Sequence, residues 1–121
     1  MIGGLMSFSQ IIIIGHLGVD PELNYTKNKT PVLNLSIGVN EVLPSNAPKD
    51  KKAKTHWHRC RKWGTRAEAL ATILKKGDKV FIKGVLIYDV WEDKTAQKHK
   101  DAYIEIDYLE KMIYENISIE I

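Results

Sequence analysis

Two stretches near the start of the chain carry different hydrophobic patterns, and both predict β-strands. Residues 10–15 form a run rich in β-branched side chains, which is typical of a strand that can be buried on both faces. Residues 32–39 alternate between apolar and polar side chains, which predicts a strand with one buried face. The intervening residues 16–22 include the pair Asp20-Pro21, so a turn is predicted there.

Further along the chain, the patterns predict one helix and three more strands. In order, these regions are a loop with two prolines and four lysines at 44–54, a strand at 55–63, a helix over 65–77, a long strand at 78–91, a polar hairpin tip at 92–101 and a strand at 103–113. In the helix, Thr65 and Glu68 have the spacing of a capping box, and Leu70 belongs to an apolar stripe. Gly77 is a suitable helix end.

The resulting order is three strands, one helix and two strands. A five-stranded Greek-key barrel with one α-helix between its third and fourth strands has this order, and such a barrel is an OB fold. We therefore predict an all-β OB-fold domain over residues 1–113. Residues 114–121 are predicted to form a short C-terminal extension.

Composition supports one globular domain. The chain has 121 residues, of which 44% are hydrophobic and 27% are charged. Cys60 is the single cysteine, so no internal disulfide can form. The longest apolar run, residues 11–14, is too short to cross a bilayer, and the first ten residues lack the pattern of a secretory signal. No membrane partner is therefore expected.

Positive charge is concentrated in the first 100 residues. Only one of the 18 Lys and Arg residues lies beyond residue 100, whereas six of the 15 Asp and Glu residues lie there. Most of the chain is therefore basic enough to attract a polyanion, while its end is acidic.

The strand at 55–63 combines aromatic and basic side chains on one face. Alternate residues of a strand share a face, and one face of this strand carries Trp57, Arg59, Arg61 and Trp63. Nucleic-acid bases stack on aromatic rings, and guanidinium groups bind phosphates or stack as well. The alternative interpretation is that the tryptophans belong to the core while the arginines point into solvent.

Two other regions add aromatic and basic groups to this candidate nucleic-acid site. The first is the outward face of the strand at 78–91, and the second is the lysine-rich loop, although most charge runs are only solvated loops. The residues added are Lys51, Lys52, Lys54, Lys79, Phe81, Lys83 and Trp91.

The opposite face of the strand at 55–63 carries three side chains that could ligate a metal, namely His56, His58 and Cys60. Neighbouring positions on one face of a flat strand are roughly 6.5–7 Å apart, which is too wide for one zinc ion. The better interpretation is a small core cysteine with histidine at a packing or subunit contact. We therefore predict no metal and no cofactor.

Signatures of common enzyme classes are absent from the sequence. There is no P-loop, no dinucleotide-binding glycine motif, no nucleophile elbow and no zinc-protease motif. Asp89, Glu92 and Asp93 flank Trp91 and could bind a divalent ion, but such a cluster is more often a hairpin end. We predict that the chain is not an enzyme.

Several segments resemble the bacterial-type single-stranded DNA-binding protein family. In order, they are GHLGVDPE at 15–22, THWHR at 55–59, WG at 63–64, LKKGDKVFIKGVL at 74–86 and WED at 91–93. The resemblance implies an OB barrel, a homotetramer, and sequence-independent binding of single-stranded DNA during replication, recombination and repair. It also implies stacking roles for Trp57, Trp63 and Trp91, a subunit contact near His58, and a cytoplasmic, nucleoid-associated location.

The chain departs from the pattern of this family in three places. A further stacking position falls on about Leu43, so that platform is expected to be lost. Residues 87–90, IYDV, replace a stretch that is usually basic. The chain ends YENISIEI, without the linker and acidic tip through which members recruit replication and repair enzymes. Either the sequence was cut there, or it is a variant that binds DNA and for which such recruitment is not expected.

Three other functions remain open on the sequence alone. An RNA-binding OB-fold module would be distinguished by competition between matched DNA and RNA oligonucleotides. A primosome-type accessory protein would be favoured by fewer aromatic side chains on the barrel face. A small hydrolase would be revealed by a metal-dependent activity screen.

Overall fold

A computed structural model describes residues 7–113, and the predicted extension at 114–121 lies outside the described residues. The strands are β1 (Ile11–Leu17), β2 (Glu22–Tyr25), β3 (Pro31–Asn40), β4 (Thr55–Trp63), β5 (Lys79–Glu92) and β6 (Lys98–Met112), and one helix, α1 (Thr65–Ile73), lies between β4 and β5.

The strands form one sheet in the order β1-β5-β6-β4-β3-β2, and a further pairing between β1 and β3 closes the sheet into a barrel. β1 pairs with β5 over most of its length, and its last residues, His16 and Leu17, pair with β3. Neighbouring strands are antiparallel except β4 and β6, which are parallel. The predicted all-β OB fold is thereby confirmed, with its helix between the third and fourth long strands.

The short strand β2 was not predicted from the sequence. It pairs with β3 from Glu22 opposite Asn34 to Tyr25 opposite Pro31. With four residues at the edge of the sheet, β2 is too short for a hydrophobic period to reveal it. Leu23 of this strand packs against the core.

The core lies inside the barrel, where the inward faces of the strands meet. The alternation predicted for β3 is confirmed, because Leu33, Leu35 and Ile37 are all buried. In β1, by contrast, Ile13 is buried while Ile12 and Ile14 are 54% and 43% exposed. Within a single chain this strand is therefore covered on one face rather than on both.

Helix α1 differs from its prediction at both ends. The capping box at Thr65 and Glu68 is wrong, because Thr65 is already helical and Gly64 is the N-cap residue, with no side-chain cap. The helix ends at Ile73, four residues before Gly77, whose φ of 91° belongs to the turn that leads into β5. None of the described residues forms a helix long and apolar enough to cross a membrane.

The hairpin of β5 and β6 is longer and tighter than predicted. The predicted polar tip at 92–101 is reduced to residues 93–97, because β6 already starts at Lys98. The hairpin projects beyond the barrel core, so both of its faces meet solvent, and residues 98–101 at the start of β6 are all polar. For the same reason Leu86 and Val90, in the second half of β5, are 36% and 68% exposed although both are apolar.

Candidate nucleic-acid interface

Strand β4 presents Trp57, Arg59, Arg61 and Trp63 on the outside of the barrel, and we call these four residues the Trp/Arg face. Cys60, between them in sequence, is 1% exposed and belongs to the core. The side chains of Trp57 and Trp63 are instead 58% and 38% exposed. The two tryptophans are therefore surface residues, and two guanidinium groups lie between them.

The indole of Trp57 lies against the backbone of two glycines. A side chain at Gly18 would overlap the indole, and a Cβ at Gly38 would lie 2.9 Å from the ring. Gly38 is the direct partner of Trp57 across β3 and β4, whereas Gly18 follows the end of β1. One side of the ring is thus held by the protein while much of the indole stays exposed, which is the geometry that a stacked base requires.

Between the two tryptophans, the outer surface of β3 and β4 forms an open cleft of about 250 Å³. Arg59 lies opposite Ser36, and Arg61 lies opposite Asn34. All four side chains line the cleft. Guanidinium donors, an amide and a hydroxyl can hydrogen-bond a phosphate or a base edge, whereas the carboxylates of Asp20 and Glu22, which also line the cleft, accept from a base and repel a phosphate. The cleft therefore suits a polar ligand rather than an apolar one.

Arg61 connects the Trp/Arg face to the neighbouring strands. Its guanidinium carbon lies 4.3 Å from the centre of the Tyr103 ring on β6, which is a cation–π contact. Its Nη1 donates a hydrogen bond of 3.4 Å to Oδ2 of Asp89 on β5. Because β6 lies between β4 and β5 in the sheet, the Arg61–Asp89 contact spans a whole strand.

Trp91 extends the same outer surface towards the tip of the hairpin. Asp89 and Trp91 are two residues apart on β5 and therefore share a face. The Trp91 ring stacks on His99 of β6, with ring centroids 4.3 Å apart and an angle of 18° between the planes. Its Nε1–H donates a 2.7 Å hydrogen bond to Asp101. The indole is 47% exposed, which leaves surface for a base.

Asp93 holds the turn that brings His99 opposite Trp91. Its Oδ1 accepts hydrogen bonds from the hydroxyl and the backbone N–H of Thr95 and from the backbone N–H of Gln97. Its Oδ2 lies 2.7 Å from Nε2 of His99. The bond from the Thr95 hydroxyl, followed by the contact with His99, lowers the pKa of Asp93 well below its usual range. This carboxylate is therefore occupied by the turn.

The candidates from the first half of β5 lie on a different wall of the barrel. Phe81 pairs with Ile14 of β1 and packs edge-on against Tyr108, with the ring centroids 6.2 Å apart. The ammonium of Lys83 lies 5.7 Å from the same tyrosine ring. β5 pairs with β1 and β6 but not with β4, so Lys79, Phe81 and Lys83 are not brought together with the Trp/Arg face.

The lysine-rich loop starts and ends beside Trp57. Asn40 and Thr55, which flank the loop, pair across β3 and β4, and the Thr55 hydroxyl donates to the Asn40 side chain at 2.7 Å. The loop lysines are therefore tethered at the same end of the sheet as the Trp57 indole. The predicted contact residues of this loop, Lys51, Lys52 and Lys54, are all exposed.

The three potential metal ligands on the other face of β4 lie in different environments. Cys60 points into the core, where burial raises the pKa of its thiol to about 12. His56 is exposed, and its Nε2 lies 3.2 Å from a carboxylate oxygen of Glu41. Within residues 7–113, no three His, Cys, Asp or Glu side chains form a cluster able to hold a metal ion.

Sequence reasoning did not single out Tyr103, His99 and Asp101. All three are odd-numbered residues of β6, and Tyr103 lies on the outer face beside Arg61. A period-2 pattern on the last strand could have identified Tyr103. His99 and Asp101 could be identified as partners of Trp91 only if the length of the hairpin turn were known. The uniformly polar sequence at 92–101 does not show where the turn ends and β6 begins.

The fold and this surface define an OB-fold protein with a basic, tryptophan-bearing outer face. The sequence matches the model of the single-strand binding protein family over residues 8–112, and the chain belongs to this family. It is 32% identical over 94 residues to "Single-stranded DNA-binding protein 1" of Xylella fastidiosa (strain 9a5c), a match covering 78% of this chain and 69% of that protein. The resemblance seen in the sequence is thereby confirmed.

Proposed function

We propose that this protein binds single-stranded DNA without sequence choice, by stacking bases on its tryptophans and contacting phosphates with its basic side chains. The observation that carries the proposal is the Trp/Arg face, where two exposed indoles flank two guanidinium groups. Such a surface serves neither the core nor a small apolar ligand. The family of the chain and the name of its relative support the same ligand.

Two physical terms make up the proposed binding free energy. Lysine and arginine release counterions from the phosphates, which makes the affinity fall as the salt concentration rises. Stacking on an aromatic side chain contributes roughly 1–3 kcal/mol per base, a range known partly from single-strand binding OB folds themselves. Every base has a flat face, so stacking tolerates any sequence.

Stacking also explains why a single strand is preferred over a duplex. In a duplex each base already stacks on its neighbours, so the faces that Trp57 and Trp63 would contact are hidden. Rotating a base out of a duplex costs a few kcal/mol, which offsets much of the stacking gain. A free strand avoids that cost.

Trp91 and the lysine-rich loop extend the proposed DNA path in two directions. Trp91 shares the outer surface with Arg61 through Asp89, and the loop is tethered beside Trp57. Lys79, Phe81 and Lys83 lie on another wall, so they would contact DNA only if the strand passes around the barrel. We propose the Trp/Arg face as the primary DNA contact and Trp91 with the lysine-rich loop as secondary contacts, and we do not place DNA on the wall that Lys79, Phe81 and Lys83 share with β1.

The proposed cellular role is to coat and protect exposed strands during replication, recombination and repair, at the nucleoid. This role needs binding and no chemical step. The side chains that carry the proposed contacts are tryptophans, arginines and lysines, which bind bases and phosphates without forming or breaking a covalent bond. We therefore propose a DNA-binding protein without catalytic activity.

We further propose that four copies associate. Ile12 and Ile14 of β1 leave apolar side chains exposed on the wall that also carries Phe81. A second copy of the chain packed on this wall would cover them and leave the Trp/Arg face open for DNA. His58, on the inner side of β4 and half-buried, is the proposed residue near a subunit contact.

Competition between oligonucleotides tests the proposed ligand. A labelled dT oligomer is bound to the protein, and unlabelled single-stranded DNA, duplex DNA and RNA of matched length are added in turn. The single-stranded DNA is expected to displace the label at the lowest concentration. Displacement by RNA at a lower concentration would overturn the proposal in favour of an RNA-binding module.

A further inference from the structure

The Trp91 indole is held by a series of contacts that starts in the hairpin turn. Asp93, fixed by Thr95 and Gln97, contacts Nε2 of His99 at 2.7 Å, and the His99 ring then stacks on Trp91. From the other direction, the Asp101 carboxylate accepts the indole N–H at 2.7 Å. The indole is thus fixed in position and in rotation although it is 47% exposed.

This arrangement gives the indole two unequal faces. With ring centroids 4.3 Å apart and planes within 18° of parallel, the imidazole covers one face and leaves no room for a base on that side. The opposite face has no such cover from His99. A base can therefore stack on one side only, in an orientation already set before DNA arrives.

We infer that His99 is a positioning residue for DNA binding, which fixes Trp91 as a one-sided stacking platform. The inference rests on the proposed function and names a residue that acts on DNA through another side chain. His99 itself is half-buried between Trp91 and Asp93, so the base stacks on the tryptophan rather than on the imidazole.

The physical reason for an effect on affinity is the cost of immobilising a side chain. An indole that is free to rotate on an exposed hairpin loses rotamer freedom when a base binds, and this loss weakens binding by about two- to tenfold. In the folded protein the contacts with His99 and Asp101 have already removed that freedom. Loss of the His99 ring should therefore appear as weaker DNA binding that depends on Trp91.

A protein in which Trp91 is the sole tryptophan measures this effect directly. In the Trp57→Phe/Trp63→Phe background, phenylalanine keeps an aromatic ring at both other platforms, and all tryptophan emission comes from Trp91. Oligo-dT is titrated into this parent and into His99→Leu, His99→Phe and His56→Leu derivatives. His56→Leu is the matched control, because His56 contacts Glu41 rather than a tryptophan.

The expected result has two parts. His99→Leu weakens oligo-dT binding by about two- to tenfold and lowers the fluorescence anisotropy of Trp91 in the free protein, because the indole moves more freely. His99→Phe, which can still stack, recovers most of both properties, and His56→Leu changes neither. Melting temperatures of all four proteins establish that each titration is made on folded protein.

Two results would overturn the inference, and they differ in what else they remove. If Trp91 emission responds to oligo-dT but His99→Leu binds as tightly as the parent, the positioning role fails while the proposed function stands. If the parent binds oligo-dT with no change in Trp91 emission, Trp91 is not a stacking platform, and the inference falls together with that part of the proposed function.

Discussion

The guanidinium of Arg61 and the carboxylate of Asp89 lie 3.4 Å apart, on two strands that do not pair with each other. Arg61 therefore carries its own counter-charge into any contact with DNA. A phosphate that binds this guanidinium must displace the Asp89 carboxylate as well as water and salt ions. Asp89 thus reduces what Arg61 contributes to the proposed binding.

Replacing Asp89 is expected to strengthen DNA binding. Exposed ion pairs contribute up to about 1 kcal/mol, so Asp89→Asn should raise the affinity for oligo-dT about two- to fivefold at low salt. The log–log salt dependence should also steepen by up to about 0.7, the value for one additional phosphate contact on a single strand. Affinities measured at three salt concentrations check both effects.

Asp107→Asn is the control for net charge. Asp107 is exposed on β6 and takes no part in the contact between Arg61 and Asp89. Its replacement by asparagine removes the same negative charge as Asp89→Asn. A smaller gain is expected for this variant. Equal gains in the two variants would show that only the total charge matters.

Trp63 and Arg61 should contribute to binding in different ways. Trp63→Ala removes a stacking surface and no charge, so it should cost roughly 1–3 kcal/mol per engaged base with little change in the salt dependence. Arg61→Ala removes at most one phosphate contact per subunit, which should make the salt dependence shallower by about 0.7. Losing Trp63 should also change the ranking of poly-dT against poly-dA, while losing Arg61 should weaken both alike.

The stability of the same Trp63→Ala protein tests whether this tryptophan belongs to the surface. At 38% exposure, its removal leaves an open surface rather than a closed cavity, so only a small fall in melting temperature is expected. A loss of roughly 3–5 kcal/mol in stability is typical of a buried aromatic residue. Such a loss, with unchanged affinity in the folded fraction, would remove Trp63 from the binding face.

Cys60 should be unreactive while the protein is folded. Burial raises the pKa of its thiol to about 12, so hardly any thiolate exists at pH 8, and reaction with a thiol reagent should be much slower than in urea. Because the folded-state pKa is the higher one, folding stability should fall as the pH rises from about 8.5 towards 12. Fast labelling of the native protein at pH 8 would contradict this burial.

The wall that carries Ile14 should hold the proposed tetramer together. Light scattering is expected to give four chains for the unmodified protein at micromolar concentration. Ile14→Lys places a charge on this wall and should dissociate the assembly. Ile73→Lys on α1, at a position 50% exposed compared with 43% for Ile14, is the matched control and should leave it intact. A monomeric unmodified protein would rule out the proposed tetramer.

The sequence predicted the barrel better than it predicted the details of the site. The apolar–polar alternation in β3 and the aromatic–basic alternation in β4 are local patterns. They determine which side chains of each strand face the core of the barrel. The hairpin tip was assigned too long because residues 98–101 are polar, and a strand solvated on both faces carries no hydrophobic period. His99 contacts Trp91 and Asp89 contacts Arg61, each on a different strand. These contacts depend on the register of the sheet, which the sequence does not show.

Glycine positions show a similar limit. Gly18 lies within the turn that the pair Asp20-Pro21 predicts at residues 16–22, and a turn is all that the local chemistry implies. The structure adds a packing reason, because the Trp57 indole lies on Gly18 and Gly38. That contact joins residues about 20 and 40 positions apart in sequence, so no local pattern could have revealed it.

Intrinsic tryptophan fluorescence, titrated with poly-dT at two salt concentrations, tests most directly whether bases stack on the outer tryptophans. The emission is expected to be quenched to the same final extent at both salt concentrations, because the stacked contacts at saturation are the same. The affinity should be lower at the higher salt, because each counterion released into a more concentrated salt solution contributes less favourable free energy. Poly-dT that binds, as shown by a label on the DNA, without changing the tryptophan emission would contradict the stacking mechanism.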